Sequence, residues 1–587
     1  MSLDIAAART SVSPNKLNDT VAYLCSLGEK VSGSAEEKLA CDHIVEKLRS
    51  YGYDPVVHKF DSYISYPIDT RLTLHTTDGD ADLPAVGVAF GLSTPKNGAR
   101  AELVHVGFGE AKDYTDKEVA GKIVVVDRLP SPDTALEAAA AGALGMICIS
   151  AGQQRHKMII TPVWGTPEFD QIELIPRVHV CSVAKPDGAK IHEALKIGPV
   201  EVTMHCDVFE GLREVRLPMA EIKGVEDHFS LVGAHYCSWF DGSTDNVTGD
   251  ACVLELARVL KAYEGKLRYG LKFCWWPGHS HGRYSGSTWF ADTFYHDLNE
   301  NGIVYFNIDS PGVKGATVYV PRHQMAEVSA YNERITTEVT GWGTLKTSNA
   351  QLSLGKRADK YVSSTRPARA ADQSFWGVGL SSMSVYSMLE PDAADRDHNV
   401  GGSGGAWWWH SEHETVDKFD PEILSQDTRL YATILLGLST ADVLPFQLDD
   451  IAQDFLDSLR EYDEAAGDVL PFADLRAEAQ AFQDDCKALN KRLEGETDND
   501  VTARANKLFL QVARVLNPVL YQVCSPFEHD PAIGSRALPS LTAALRLPSV
   551  KDDLQGHVFV KTGLIRRMNQ VRHQLREANR IVRGFDT

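Results

Sequence analysis

Residues 230–260, SLVGAHYCSWFDGSTDNVTGDACVLELARVL, place a strand, a polar loop and a helix in direct succession. Leu231, Val232, Gly233 and Ala234 form an unbroken apolar run, the pattern of a strand buried on both faces. From His235 to Gly249 the chain turns polar and is punctuated by Gly and Asp. Val253, Leu254, Leu256, Ala257 and Leu260 then fall on one i, i+3, i+4, i+7 helical face. A strand that ends in His235, and a loop that brings Asp245 to the start of a helix, are how open α/β sheets build their sites. His and Asp are donors suited to a divalent cation such as zinc. The plainer reading is a solvated loop after a core strand.

Outward from this stretch, strands and helices alternate from 215 to 445. The apolar runs Ser230–His235, Leu271–Trp276, Ile303–Ile308 and Gly379–Val385 predict strands. Asp250–Tyr263, Ser287–Phe294, Met325–Val339 and Pro421–Ala441 predict helices. This alternation predicts an α/β fold, a mixed and mostly parallel sheet with helices on both faces. Upstream, Lys16–Leu27 and Ala35–Tyr51 carry helical periodicity, and Ser34 followed by Glu36 and Glu37 is a capping signal. Strand-like segments follow at Pro55–Phe60 and Arg71–His75. Between about 80 and 210, short β-rich runs (Ala101–Val106, Lys122–Val126, Met146–Ser150, Arg177–Cys181) alternate with Gly, Pro and Asp, with an Ala-rich helix at Thr134–Ala141. This predicts a small inserted β-rich domain, read as a lid or spacer. Beyond Pro445 four amphipathic helices are expected, at Asp449–Tyr462, Phe472–Leu493, Thr502–Tyr521 and Leu564–Val582, in a bundle.

The 587-residue length implies about three or four domains. A formal net charge of −21 argues against nucleic acid as a partner, because phosphate backbones require clustered positive charge. The N-terminal MSLDIAAARTSVS shows no apolar core behind basic residues, so no secretory leader is expected. No apolar window is long enough for a membrane span. The ten cysteines form no CxxC pair and mostly sit in apolar runs, as reduced core thiols do. The expected location is cytoplasmic.

Three later segments answer the opening one. Leu271–Trp276 leads into Pro277, Gly278, His279, Ser280, His281 and Gly282. Ile303–Ile308 ends in Asp309. A glycine-rich stretch, 401–405, precedes Trp407, Trp408, Trp409, His410, Ser411, Glu412, His413, Glu414 and Thr415. In a sheet with parallel strands the carboxyl ends share one edge, so His235, Asp245, His279, Asp309 and His410 could converge there. The order of His, Asp-Asn and a late Trp-His-Ser-x-x-x-Thr resembles the M28 family of zinc-dependent exopeptidases. The phrase from Gly121 to Asp127, followed by Gly142 to Gly145, resembles the protease-associated domain. Together with the terminal helices it resembles the glutamate carboxypeptidase and transferrin receptor branch. The resemblance extends from Gly33, Ser34, Ala35 and Glu36 to Val443, Leu444, Pro445 and Phe446.

The resemblance implies two metals around a shared aspartate, Asp245. One ion would be held further by His235 and Asp309, the other by His410 and a glutamate. That glutamate and the neighbouring general base should be adjacent, yet here the pair reads His279-Ser280, or Ser280-His281 if one residue is inserted. The aspartate expected two residues after His235 is Cys237. Loss of the two glutamates alone leaves the centre about two charges less negative than the family's. His279 or His281 could replace the missing ligand or the missing base, though one histidine cannot serve as both. The expected metal is zinc or another divalent transition metal, one or two ions, with iron also compatible. Trp408 and Trp409 could wall a substrate pocket and Arg366 could clamp a substrate carboxylate, with Arg357 and Arg369 as lesser candidates. Cys237 could be a nucleophile or a soft metal ligand but reads first as a packed thiol, and Glu412 and Glu414 could replace the lost base but read first as solvated loop carboxylates.

The expected organisation is an M28-like α/β domain at 1–60 and 215–445, a protease-associated-like insertion at 61–214, and a helical domain at 446–587. The expected function is metal-dependent hydrolysis of an amide or peptide-like bond in a small-molecule or peptide substrate. Two rivals are a degenerate homologue that binds or scaffolds, and a metal enzyme of changed reaction type such as a lyase. Self-association as a homodimer through the C-terminal helices is expected, with neither membrane nor nucleic acid as partner.

Overall fold

The computed structural model describes residues 5–321, 323–342 and 370–586. Its strands in chain order are β1 Val56–Thr76, β2 Gly79–Leu83, β3 Val86–Gly87, β4 Ala99–His105, β5 Ile123–Val126, β6 Gly145–Ile149 and β7 His179–Val183. They continue with β8 Glu201–Ile222, β9 Phe229–His235, β10 Gly270–Trp276, β11 Gly302–Asn307, β12 Val318–Pro321, β13 Ser381–Met383 and β14 Val385–Met388.

One sheet runs in the order β13-β11-β9-β10-β8-β4-β5-β6-β7-β3. β9 lies parallel to both β10 and β11, and β11 parallel to β13, so all four present their carboxyl ends to one edge. Every residue of β9 is buried, as its unbroken apolar run requires. Val232, Ala234, Phe273 and Trp275 face a core shared with helix Thr248–Lys261 and helix Pro421–Thr440. Leu231, Cys274, Trp276 and Tyr305 face the opposite layer, with Phe290 and Phe375. Gly233 is required by packing: a Cβ there would lie 2.2 Å from Trp276 Nε1.

β4, β5, β6 and β7 form a second parallel set with its own cores on the two faces. The sequence suggests two short strands between 55 and 75. The chain instead forms the 21-residue β1, paired antiparallel with the 22-residue β8 over nearly its whole length. β8 also pairs with β10 on one side and β4 on the other, so the central and inserted strands are one continuous sheet. The residue-61 boundary falls inside β1. Alternating polar residues kept the middle of this ribbon from reading as strand.

Helix Ala35–Ser50 is capped as its sequence suggests, with Ser34 Oγ accepting from Glu37 N and Gly33 N donating to Glu37 Oε2 at 2.6 Å. Four C-terminal helices (Leu448–Ala466, Ala473–Leu493, Asn499–Tyr521, Leu554–Arg583) pack into the same apolar core as the α/β layer. Helix Ile5–Ser11 and the 3₁₀ run Pro539–Val550 are elements the sequence reading did not include. No helix among the described residues is long and apolar enough to cross a membrane.

Candidate metal centre

His235 is the last residue of β9 and sits opposite Trp276 at the end of β10. Its Nδ1 donates to the backbone oxygen of Cys237 at 2.9 Å, which fixes the tautomer that leaves Nε2 as a donor to a metal. The aspartate missing at 237 is thus replaced by that position's own carbonyl. The Cys237 thiol is packed and buried, as expected.

Asp245, in the loop before helix Thr248–Lys261, reaches both histidines. Its Oδ1 lies 2.9 Å from His235 Nε2 and its Oδ2 lies 3.1 Å from His410 Nε2. Asp309 follows β11, with Oδ1 3.7 Å from His235 Nε2. Trp409 Nε1 donates to Asp245 Oδ2 at 2.5 Å, and Ser310 Oγ donates to Asp309 Oδ1 at 3.0 Å. His410 is oriented from outside its own loop: Nδ1 donates to the Lys157 carbonyl at 2.8 Å, and its backbone N donates to Glu414 Oε2 at 2.8 Å.

Burial works against charge on His235, but the hydrogen bonds and charges of Asp245 and Asp309 outweigh it and push its pKa well above the usual imidazole range. Burial would likewise raise Asp245, yet His235 and His410 hold it well below the usual carboxylate range. Burial, followed by the His235 charge, drives His279 well below its ordinary value. The His279 ring stacks on that of His235 with centroids 3.8 Å apart, so two charged rings there would repel. The donor atoms of His235, His279 and Asp309 all lie within 4.8 Å of one another.

The set suits a divalent cation. Two carboxylates and neutral imidazoles carry two negative charges, and His235 Nε2 is buried with no well-directed hydrogen bond. Ligands about 2.0–2.2 Å from a tetrahedral zinc lie about 3.3–3.6 Å apart. The observed 2.9, 3.1 and 3.7 Å bracket that spacing.

A cavity of about 280 Å³ opens onto these groups. Asp245, His279, Asp309, Trp409 and His410 line it, as do Met158, Ile159, Tyr284 and Tyr386. Among the described residues that line it, the carboxylates are Asp245 and Asp309, and none is a glutamate. His281 is not in this wall. It is buried, its Nδ1 is 3.3 Å from Ser32 Oγ, and its ring meets the Trp239 ring edge-on at 4.2 Å. Trp408, expected at the substrate, is packed in the core with Nε1 on Thr244 Oγ1. Arg357, Arg366 and Arg369 lie outside the described residues.

Two expectations change. Glu414 is buried rather than solvated, accepting from Thr244 Oγ1, Ser403 Oγ and His410 N. Burial and the nearby Asp245 charge raise its pKa. Glu412 is paired with Arg155 at the surface. The inserted β-rich region is more than a spacer: Met158 and Ile159 line the cavity, and Arg283 donates to the carbonyls of Ile159 and Thr161. Sequence reasoning missed the Lys157 and Cys237 carbonyls because any residue type supplies a carbonyl.

Comparison with known proteins bears on the fold. Residues 219–434 match peptidase family M28 and residues 99–191 match the PA domain. The chain is 24% identical over 344 residues to the probable glutamate carboxypeptidase VP8 of Zea mays, covering 48% of each. It is 25% identical over 304 residues to aminopeptidase YwaD of Bacillus subtilis, covering 50% of this chain and 62% of that one. The chain spans about half the length of these curated relatives. Among solved structures, the zinc aminopeptidase BSAP of Bacillus subtilis superposes with a TM-score of 0.54 at 20% identity, covering 73% of this chain and 96% of that one. The resemblance read from the sequence, an M28-type peptidase fold with an inserted PA domain, is thereby shown.

Proposed function

We propose that this protein is a metal-dependent hydrolase of an amide or peptide-like bond whose metal centre departs from the two-metal M28 pattern. The carrying observation is that His235, Asp245, Asp309 and His410, from three separate segments, meet at the carboxyl edge of the parallel strands, with Asp245, Asp309 and His410 lining one cavity and His235 buried beside Asp245. Its closest-fitting half is His235, Asp245 and Asp309. A second position would use His410 and Asp245, with His279 as the available neutral donor. A bound divalent ion would supply Lewis acidity and an acidic water.

The residues of the chain do the rest. Asp245 spans the two histidines and keeps them in register. Cys237 and Lys157 hold His235 and His410 by their carbonyls, so both rings are aimed before substrate arrives. His279 lines the cavity, and burial keeps its ring neutral, the form a general base needs. Where one ion sits at His235, Asp245 and Asp309 and leaves His279 unligated, we assign proton transfer to His279 ahead of the buried His281. Trp409, Tyr284, Met158 and Ile159 give the cavity an apolar wall suited to a substrate with an apolar group. Helix Leu554–Arg583 exposes Leu554, Val558, Phe559 and Ile565, which supports self-association through the C-terminal helices. The three-part domain division at about 60, 214 and 445 remains our reading.

The test is metal content of the purified protein, together with a screen of aminoacyl and acyl-amide substrates. We expect bound zinc or another transition metal, with at least one ion per chain fewer in His235→Ala, and hydrolysis that is lost with that ion. A metal-free protein would favour the scaffold reading instead. A metallated protein that releases no amine from any amide, but converts substrate otherwise, would favour a changed reaction.

A further inference from the structure

Away from this centre, His105, Asp127 and His192 form a second group of metal-binding side chains within ligating distance of one another. His105 is the last residue of β4, and Asp127 follows the last residue of the adjacent parallel strand β5. Backbone hydrogen bonds continue past both strand ends, from Val106 N to Val125 O and from Asp127 N to Gly107 O. His192 lies on helix Lys185–Ile197, whose Ile191 and Ala194 are buried against Leu103, Ile123 and Val125 of the same strands. Three rigid elements therefore present the three side chains.

Both imidazoles point Nε2 at one carboxylate. His105 Nε2 is 2.6 Å from Asp127 Oδ2, and His192 Nε2 is 2.8 Å from Asp127 Oδ1. The two rings meet edge-to-face with centroids 4.7 Å apart. A single carboxylate shared by two convergent imidazole nitrogens is half-exposed and reachable from solvent. Two neutral imidazoles and one carboxylate make an N₂O donor set, the chemistry that takes zinc, nickel, cobalt or copper in preference to calcium or magnesium.

We propose that His105, Asp127 and His192 form a transition-metal site, separate from the cavity, that clamps helix Lys185–Ile197 to the ends of β4 and β5. Binding requires each Nε2 to give up its proton, which moves to Nδ1 of the same ring as the neutral tautomer changes, so no net proton need leave. The side chains must also spread by about 0.5–1 Å to reach the ligand spacing of a tetrahedral ion. Three protein ligands leave the remaining position to water or to a donor from another molecule.

Equilibrium dialysis of the full chain against zinc chloride, followed by metal counting, tests this. His105→Ala/His192→Ala should bind one zinc ion fewer than the wild type. Each single variant should weaken that ion at least about 10–100-fold, since even loss of an outer partner costs that much. His235→Ala/Asp309→Ala should retain the ion, and zinc should raise its melting temperature. Failure of the hydrolase reading alone would not alter the His105 and His192 result. Equal zinc counts in wild type and His105→Ala/His192→Ala would overturn the proposal, as would zinc that survives in both single variants at unchanged affinity. Both histidines are partly exposed, so the variants should fold, and circular dichroism on the same samples confirms it.

Discussion

His279 and His281 are two residues apart, yet the fold gives them different surroundings. One lines the cavity against the face of His235; the other is enclosed beside Ser32 and Trp239. His279→Ala should lower kcat by about 10²–10⁴-fold, the usual contribution of a positioned acid–base group. His281→Ala should act mainly on stability, so kcat measured at a temperature where the variant is folded should change little. Equal losses of kcat would sink the assignment. Asp427 offers a prediction independent of chemistry. Burial raises its carboxyl to about 6, although Gly312 N, Tyr319 and Ser387 donate to it. Its folded pKa lies above the unfolded value of about 3.9, so the fold prefers the protonated form. The associated stability is fully present below pH ~4 and is lost as pH rises to about 6, by an amount on the order of 3 kcal/mol. Urea unfolding of wild type and Asp427→Asn across that window should show the wild type falling relative to the variant.

At the scale of elements, residue types carried most of the arrangement. Buried parallel strands have little choice but an apolar run, so β9, β10 and β11 were legible, and His235, His279 and Asp309 at or just past their ends come together as the sequence order suggested. The β1–β8 ribbon was not, because half its residues face solvent and its pairing is long-range. Glu414 was misread for a related reason: two hydroxyls and a backbone N–H make its burial tolerable, and none is adjacent in sequence except through His410. Arg514 joins helix Asn499–Tyr521 to the α/β layer in the same hidden way, donating to the carbonyls of Leu298, Asn299, Gly302 and Gly379. Arg514→Ala leaves several of those carbonyls without a donor, and should cost about 3 kcal/mol or more in chemical denaturation. Arg514→Lys, with one point charge in place of a planar fork, should recover only part of it.

For the whole molecule, the C-terminal helices share the core of the catalytic layer, so they should not unfold independently. Calorimetry should show one cooperative transition spanning both, and a separate low-temperature transition would argue against a shared core. Exposed Leu554, Val558 and Phe559 imply a second surface outside that core. Phe559→Glu should leave the melting temperature nearly unchanged while shifting sedimentation toward monomer, if two copies meet there. Sequence patterning could place these helices but not what covers them, since an exposed apolar residue looks the same in isolation and in an interface.

The carbonyl of Lys157 that steadies His410 lies 253 positions earlier in the chain. The ring cannot be aimed until the central and inserted parts of the continuous sheet have both formed around the β8 strand they share. Ion affinity therefore doubles as a proofreading signal for folding. A chain trimmed of the 156–165 segment should hold an ion at His410 poorly, since that ring loses the carbonyl that orients it.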